Sequence, residues 1–246
     1  MHAVQALRYQ VFFTECHAQA KTSSHRQGRD YDHYDDYCTH LMVIDHHKDD
    51  QLAAYTRLLL SDNLPDGLGF IAEDEFSIPL LDKFTTQSME IGRTCVHPDY
   101  RDGQAIQMLW QGITKFVFDH NILFLFGCAS FHETNPDQIA NQLTYLHKYH
   151  LADEENRARS LDYIPLARLP DDQIERRSAL AQMPPLVKAY LQLGGVVGDG
   201  CFLDQDFKTL DVLVTVEISK VPQQYSKYFK KLANRLTFAS PNMRKQ

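Results

Sequence analysis

Between Ser88 and Cys128 the chain reads strand, turn, helix, strand, and this unit limits the fold more than any other feature. Ser88–His97 is an extended run that stops at Pro98. Gly103–His120 sets Ile106, Leu109, Ile113, Phe116 and Val117 on one helical face, and Ile122–Cys128 is a short, almost wholly apolar run. A helix of that length does not fit a hairpin connection, so the two strands are expected to run parallel through a crossover. Parallel strands need cover on both faces. The expectation is an α/β fold, a central mixed sheet flanked by helices.

The flanking sequence supplies the other elements. Ala3–Glu15 carries Ala3, Leu7 and Val11 at helical spacing with Phe12 beside them. Lys21–Tyr37 is polar and irregular and reads as a loop. Thr39–Ile44 and Leu52–Leu60 read as two strands joined by the turn His46–Gln51, and Ser61–Gly69 is a turn-rich connection. Pro136–Tyr149 and Pro184–Leu193 read as helices, the second closed by Gly194–Gly195, and Asp211–Ile218 as a strong strand. The charged stretch at about 150–183 is expected to be a surface excursion from a single domain spanning 1–246.

The longest apolar runs are too short to span a bilayer, and Met1–Gln10 lacks the basic start and apolar core of a signal peptide. A cytoplasmic protein is expected. The five cysteines are odd in number and form no C-x-x-C pair, so neither a disulfide framework nor a metal site is expected. His33, His40, His46 and His47 match no standard zinc spacing either. The net charge of −7 is unevenly spread: beyond Glu217 there are seven Lys and Arg residues and no acid, leaving −14 on the rest. A basic tail at about 219–246 on an acidic body suits an anionic partner surface, and a solvated helix end is the plainer alternative.

The segment from Met89 to Ala105 concentrates the chemistry. A strand leads through an Arg- and Gly-bearing turn into a helix start, where unbonded backbone N–H groups can receive an anion; many strand–turn–helix units look similar without binding one. Glu90 is the carboxylate in that strand and the candidate general base. Strict pleating would put Glu90 and Arg93 on opposite faces, so they share a site only if the strand is bulged; a structural ion pair is the alternative. Cys95-x-His97 would allow a thiolate nucleophile, which nothing else in the sequence supports.

The turn Arg101-x-Gly103-x-Ala105 resembles the pantetheine-binding motif of the GNAT N-acyltransferase superfamily, Arg/Gln-x-x-Gly-x-Gly/Ala, shortened by one residue. Arg8-x-x-Val11-Phe12, Asp32-x-x-Asp35, Arg57-Leu58-Leu59 and Glu90-x-x-Arg93 resemble, in order, segments of the acyl-homoserine-lactone synthases. A fuller resemblance is to the ornithine N-acyltransferases, often labelled hemolysin-like. It rests on Leu7-Arg8-Tyr9-x-Val11-Phe12, Asp32-x-Tyr34-Asp35-x-x-Cys38-x-His40-Leu41 and Glu90-Ile91-Gly92-Arg93-x-Cys95-Val96. It continues through Leu109-Trp110-x-Gly112-Ile113, Phe126-Gly127-Cys128-Ala129-Ser130-Phe131, Pro184-Pro185-Leu186 and Asp204-x-Asp206-Phe207. The superfamily fold begins with a strand ahead of its first helix, whereas this sequence starts within that helix, as a shortened N-terminus would.

The resemblance implies a GNAT-like sheet splayed between two parallel strands where pantetheine enters. It implies transfer of a (3-hydroxy)acyl group from acyl carrier protein to the α-amine of ornithine, with a coenzyme A thioester as the alternative donor and no tightly bound cofactor. Glu90 and Arg93 would be catalytic, and Cys95, Val96, Arg101, Gly103, Gln104, Ala105 and Ser130 would line the donor site. Backbone N–H groups near Cys95–His97 would hold the thioester oxygen. Asp32, Asp35, Arg57 and Asp206 would form the acceptor pocket, against the plainer readings of loop solvation and turn capping. The partners implied are the carrier protein and the amino acid, with peripheral contact to an anionic inner membrane and no role for nucleic acid. The rival readings are glycine-lipid or homoserine-lactone synthesis, or a non-catalytic carrier- or lipid-binding module.

Overall fold

The structure is a computed structural model that describes residues 1–19 and 25–223. Helix α1 (His2–Tyr9) passes without a break into a π-helical stretch, Gln10–Glu15. The helix expected over 3–15 is thus one continuous element whose second half is widened. Strands β1 (Thr39–Asp45) and β2 (Gln51–Leu60) form an antiparallel hairpin. The short β3 (Phe76–Ser77) and α2 (Leu80–Lys83) lead into β4 (Ser88–Val96). There follow α3 (Gln104–Asp119), β5 (Phe124–Phe131), α4 (Ala140–His150) and β6 (Arg159–Ser160). The chain continues with α5 (Arg176–Gln182), α6 (Pro185–Gln192), β7 (Val196–Val197), β8 (Phe202–Asp204) and β9 (Thr209–Glu217).

Among the described residues seven strands make the central sheet in the order β1-β2-β4-β5-β9-β7, with β8 also on β9, while β3 pairs separately with β6. The β4–β5 pair is parallel, as the crossover through α3 requires, and the other pairs in the sheet are antiparallel. That parallel pair lasts only from Ser88/Phe124 to Glu90/Phe126. Beyond it β4 pairs with β2 alone and β5 with β9 alone, so the sheet forks. Gly127 sits at the fork: a Cβ there would lie 2.4 Å from the Ile91 carbonyl oxygen, so only glycine lets the two strands come this close before they part.

One face of the sheet is packed by α3, α4 and α6 through Leu109, Ile113, Leu143, Leu146, Val187 and Tyr190. Burying an aliphatic or aromatic side chain of this size contributes about 1.5–3 kcal/mol, so this layer anchors the fold. The opposite face is covered by shorter pieces: α1 packs Val4, Leu7 and Val11 on Tyr55 and Cys95, and Tyr34, Phe70, Ala72 and Phe76 pack on Leu59, Phe124, Phe126 and Leu213. Among the described residues no helix is long and apolar enough to cross a membrane.

The stretch at about 150–183 departs from the expected surface excursion. Its charges are exposed, but Ala158, Leu166, Ala179 and Met183 are buried, and β6 ties it to β3. A few small apolar residues, too sparse to show a period, suffice to seat it. Of the basic tail, Lys220 is described, paired with Glu217; Lys227, Lys230, Lys231, Arg235, Arg244 and Lys245 lie outside the described residues.

Candidate active site

Strand β4 is bulged at the position the chemistry called for. Tyr55 faces Cys95 and Arg57 faces Gly92, so Thr56 alone opposes both Arg93 and Thr94. Arg93 takes φ +52°, uncommon for a residue with a side chain, and the Thr56 hydroxyl bonds the Gly92 carbonyl at 3.1 Å and the Thr94 hydroxyl at 2.8 Å. The extra residue re-aims Arg93. Its guanidinium lies 4.3 Å from the Phe207 ring centre, 3.4 Å from Asp30 and 3.6 Å from Asp32, on the face that carries Glu90.

Three arginines and three aspartates interlock there. Arg8 binds Asp30 at 2.8 Å and Asp35 at 2.6 Å, and Arg57 binds Asp35 at 2.8 Å and Asp32 at 2.7 Å. The His40 ring bridges the Tyr55 hydroxyl at 2.7 Å and the Asp35 carbonyl at 2.9 Å. Arg8, Arg57 and Asp35 are almost wholly buried. Burial works against the Asp32 carboxylate, but Arg57 and Arg93 overcome it and hold its pKa down at about 2. With charges this closely matched, the network holds the loop from Asp30 to Asp35 against the sheet and leaves Arg93, a quarter exposed, at its open side.

Glu90 is buried, with each carboxylate oxygen taking a backbone N–H: Oε2 from Ile71 at 2.8 Å and Oε1 from Ala72 at 3.0 Å. Burial pushes its pKa up to about 7 in spite of these bonds and the field of Arg57 and Arg93. A carboxylate so poised is half ionised near neutral pH, where a general base works best, and each oxygen keeps a lone pair for a proton.

Of the residues expected to line the donor site, Val96 ends β4, Arg101, Gly103, Gln104 and Ala105 form the turn after it and the start of α3, and Ser130 stands on β5. The His97 N–H donates to the Ala53 carbonyl at 2.9 Å, so it does not serve as an oxyanion donor. Antiparallel alternation then turns the Val96 N–H away from β2, toward the fork. The Cys95 side chain is packed in the core against α1, and burial pushes its thiol up to about 12, which removes the thiolate reading. Gly103 caps α3 in the left-handed conformation at φ +96°, and Asp102 accepts from the Gln104 N–H at 3.0 Å. The first helical bond runs from Gln107 to Gly103, so the N–H groups of Ala105 and Ile106 have no acceptor within the helix. Arg101 reaches the Val96 carbonyl at 3.2 Å and Glu15 at 2.6 Å.

A second acidic group went unread in the sequence. Glu75, Asp204 and Asp211 bring carboxylate oxygens within 4.8 Å of one another on the same face, beside Cys128 and Ser130 of β5. The one signal for it was a carboxylate inside the apolar run Leu210-Asp211-Val212-Leu213. Asp206 lies in the turn after β8, where Asp204 is the cap, accepting from the N–H groups of Asp206 at 2.7 Å and Phe207 at 2.9 Å.

Comparison with known proteins fits this geometry. The Acetyltransferase (GNAT) domain family matches residues 7–111, from α1 into α3. The L-ornithine N(alpha)-acyltransferase of Rhizobium meliloti is 38% identical over 97% of this chain and 83% of its own length. Those of Brucella abortus and Rhodobacter capsulatus are each 36% identical, over 96% and 93% of this chain and 86% and 90% of theirs. The chain belongs to the L-ornithine N(alpha)-acyltransferase family. It is therefore an acyltransferase, and Arg8, Glu90 and Arg93 lie within the matched GNAT segment. Among solved structures, the CoA-dependent acyl-homoserine lactone synthase BjaI with MTA shares the fold, with a TM-score of 0.52 at 15% identity over 95% of this chain and 81% of that one. The fork, the β4 bulge and the ion network of this chain thus rest on a GNAT fold.

Proposed function

We propose that this protein transfers a fatty acyl group, a 3-hydroxyacyl chain in particular, from the phosphopantetheine of acyl carrier protein to the α-amine of ornithine. The observation that carries the reading is Glu90, a buried carboxylate poised near neutral pH beside Arg93 at the fork, in a chain whose relatives are named for ornithine acylation. The pantetheine arm lies in the fork between β4 and β5, with its phosphate near Arg101, Gly103, Gln104 and Ala105, and a coenzyme A thioester is the alternative donor. The ornithine α-amine attacks the thioester carbon. A C–N bond forms, the C–S bond breaks, and the amine's proton passes to Glu90 directly or through water, while the departing pantetheine thiolate takes up a proton. The Val96 N–H receives the charge that develops on the thioester oxygen; one such donor is worth roughly a hundredfold or more in rate.

The Asp32, Asp35 and Arg57 set supports the acceptor site from behind, since its charges already satisfy one another, and Arg93, the partly exposed cation at the open side of the network, meets the acceptor's carboxylate. The basic C-terminal segment meets the acidic carrier protein and an anionic membrane surface. The test is purified protein with 3-hydroxyacyl carrier protein or the matching coenzyme A thioester and a panel of amino acids, the products weighed by mass spectrometry. Acyl-ornithine formed from the carrier protein is the expected result. A clear preference for glycine moves the assignment to glycine-lipid synthesis, and binding of carrier protein with no acyl product on any amino acid makes it a binding module.

A further inference from the structure

Beside the network that pairs Arg8, Arg57 and Arg93, three further carboxylates on the same face, Glu75, Asp204 and Asp211, make no ion pair with a cation among the described residues. Asp211 is 95% buried, and neither its Oδ1 nor the Oε2 of Glu75 has a hydrogen-bond partner. Asp204 spends Oδ1 on the turn that follows β8. The group is built from three separate parts of the fold: Glu75 closes the turn that Glu90 clamps, Asp204 ends β8, and Asp211 stands on β9 opposite Ser130. Burial and mutual repulsion push the Glu75 and Asp211 carboxyls well above the ordinary range. A buried Asp211 and a half-buried Glu75, each with an unpartnered oxygen, in a group whose three carboxylates come within 4.8 Å of one another, are an arrangement that a cation completes.

We propose that Glu75, Asp204 and Asp211 form the subsite for the side-chain ammonium of the acceptor, and that this subsite makes the enzyme select a diamino acid. The proposal rests on the ornithine reading above and deepens it. An alkylammonium offers three N–H donors and wants each carboxylate oxygen about 2.7–2.9 Å away; oxygens no more than 4.8 Å apart surround one nitrogen at that distance. The span fits as well. Glu90 pairs with Phe126, and Cys128, which neighbours Glu75, is two residues further along β5, about 6–7 Å. Five single bonds of about 1.5 Å separate the two amine nitrogens of ornithine, which extended reach about 6 Å. With the distal ammonium among the three acids and the carboxylate on Arg93, the α-amine comes to Glu90.

The test compares ornithine with norvaline, which is the same skeleton without the distal amine, in the wild type, Asp211→Asn and Glu75→Gln. The wild type is expected to favour ornithine at least a hundredfold in kcat/KM, and each variant to cut that ratio tenfold or more, chiefly by raising the ornithine KM. Thermal melting with and without ornithine covers a poorly active variant: the ornithine-induced rise in Tm should shrink in both. If ornithine is acylated but the ratio and the Tm shift survive both substitutions, the subsite is wrong while the acceptor assignment stands. If the wild type acylates another amino acid and ignores ornithine, the acceptor reading itself has failed. A Tm shift from calcium or magnesium that Asp211→Asn abolishes, together with loss of ornithine preference in chelator, would make this a metal site and overturn the proposal.

Discussion

Glu90 serves two ends that ask for opposite protonation states. As a clamp on Ile71 and Ala72 it is best ionised, and as a group buried in an apolar wall it is best neutral. Glu90→Gln is expected to lower turnover at least a hundredfold while carrier-protein binding changes little, because a lost general base costs about 10²–10⁴ in rate. The amide also turns an N–H₂ toward a backbone N–H, so stability should fall by about 1–3 kcal/mol. Steady-state kinetics beside urea unfolding separates the two effects, and near-normal turnover in a folded variant removes Glu90 from the mechanism. The raised carboxyls also fix a pH dependence. Glu90, with a folded pKa of about 7 against an ordinary 4.5, binds more protons folded than unfolded, and Glu75 and Asp211 act in the same direction. Their contribution to stability is full below their ordinary carboxylate range and is lost as pH rises through the folded values. Asp32, held down at about 2, works the other way and withdraws its support only as pH falls through the range from its ordinary 3.8 to that value. The Tm is therefore expected to fall between pH 5 and 8 while the rate, which on the proposed mechanism needs ionised Glu90, rises. A Tm flat across that interval in wild type and Glu90→Gln alike contradicts the account.

The bulge and the fork are where β4 departs from regular geometry, and both can be probed through backbone. Gly127→Ala places a methyl 2.4 Å from the Ile91 carbonyl, and a rigid backbone oxygen does not yield cheaply. A loss of about 1–3 kcal/mol is expected, together with a higher KM for the acyl donor, since the strands must part to make room; unchanged melting and donor kinetics would show that the fork tolerates a wider seat. How much of this was legible follows from the physics of each piece. The β4-α3-β5 unit was readable because a helix with one apolar face between two strands leaves little choice of topology. The need for a bulge followed from two charged side chains three residues apart on a strand. Strands β3, β6, β7 and β8, of two or three residues, carry no alternation to read; each exists because a neighbouring chain offers it hydrogen bonds. Asp32, Asp35 and Arg57 were legible as a set, but their mutual neutralisation was not, because Arg8 and Asp30 join them only in space. Glu75, Asp204 and Asp211 come from three distant segments with no common spacing.

Charge is the property that belongs to the chain entire. An acidic body of −14 and a C-terminal segment of +7 form a strong dipole along the sequence. Reversing Lys227, Lys230 and Lys231 to Glu should raise the donor KM and flatten its salt dependence, since exposed charges steer association and are screened by salt. Unchanged donor kinetics and unchanged binding to anionic liposomes would reduce the segment to a solvated end. The fork carries a mechanical consequence of its own. Among the described residues the half-sheet β1-β2-β4 is stitched to the half-sheet of β5, β9, β7 and β8 by three strand pairs, Ser88/Phe124 to Glu90/Phe126, and by the Gln87 carbonyl just before them, which accepts from Leu123 and Phe124. A short seam between two stiff plates is where bending concentrates, so amide hydrogens of Met89 and Glu90 should exchange faster than those in the middle of β2 or β9. In the proposed binding mode a thioester arm in the fork is a wedge that also bonds both plates, and a non-reactive donor analogue should slow exchange along the seam while leaving the plates as they were.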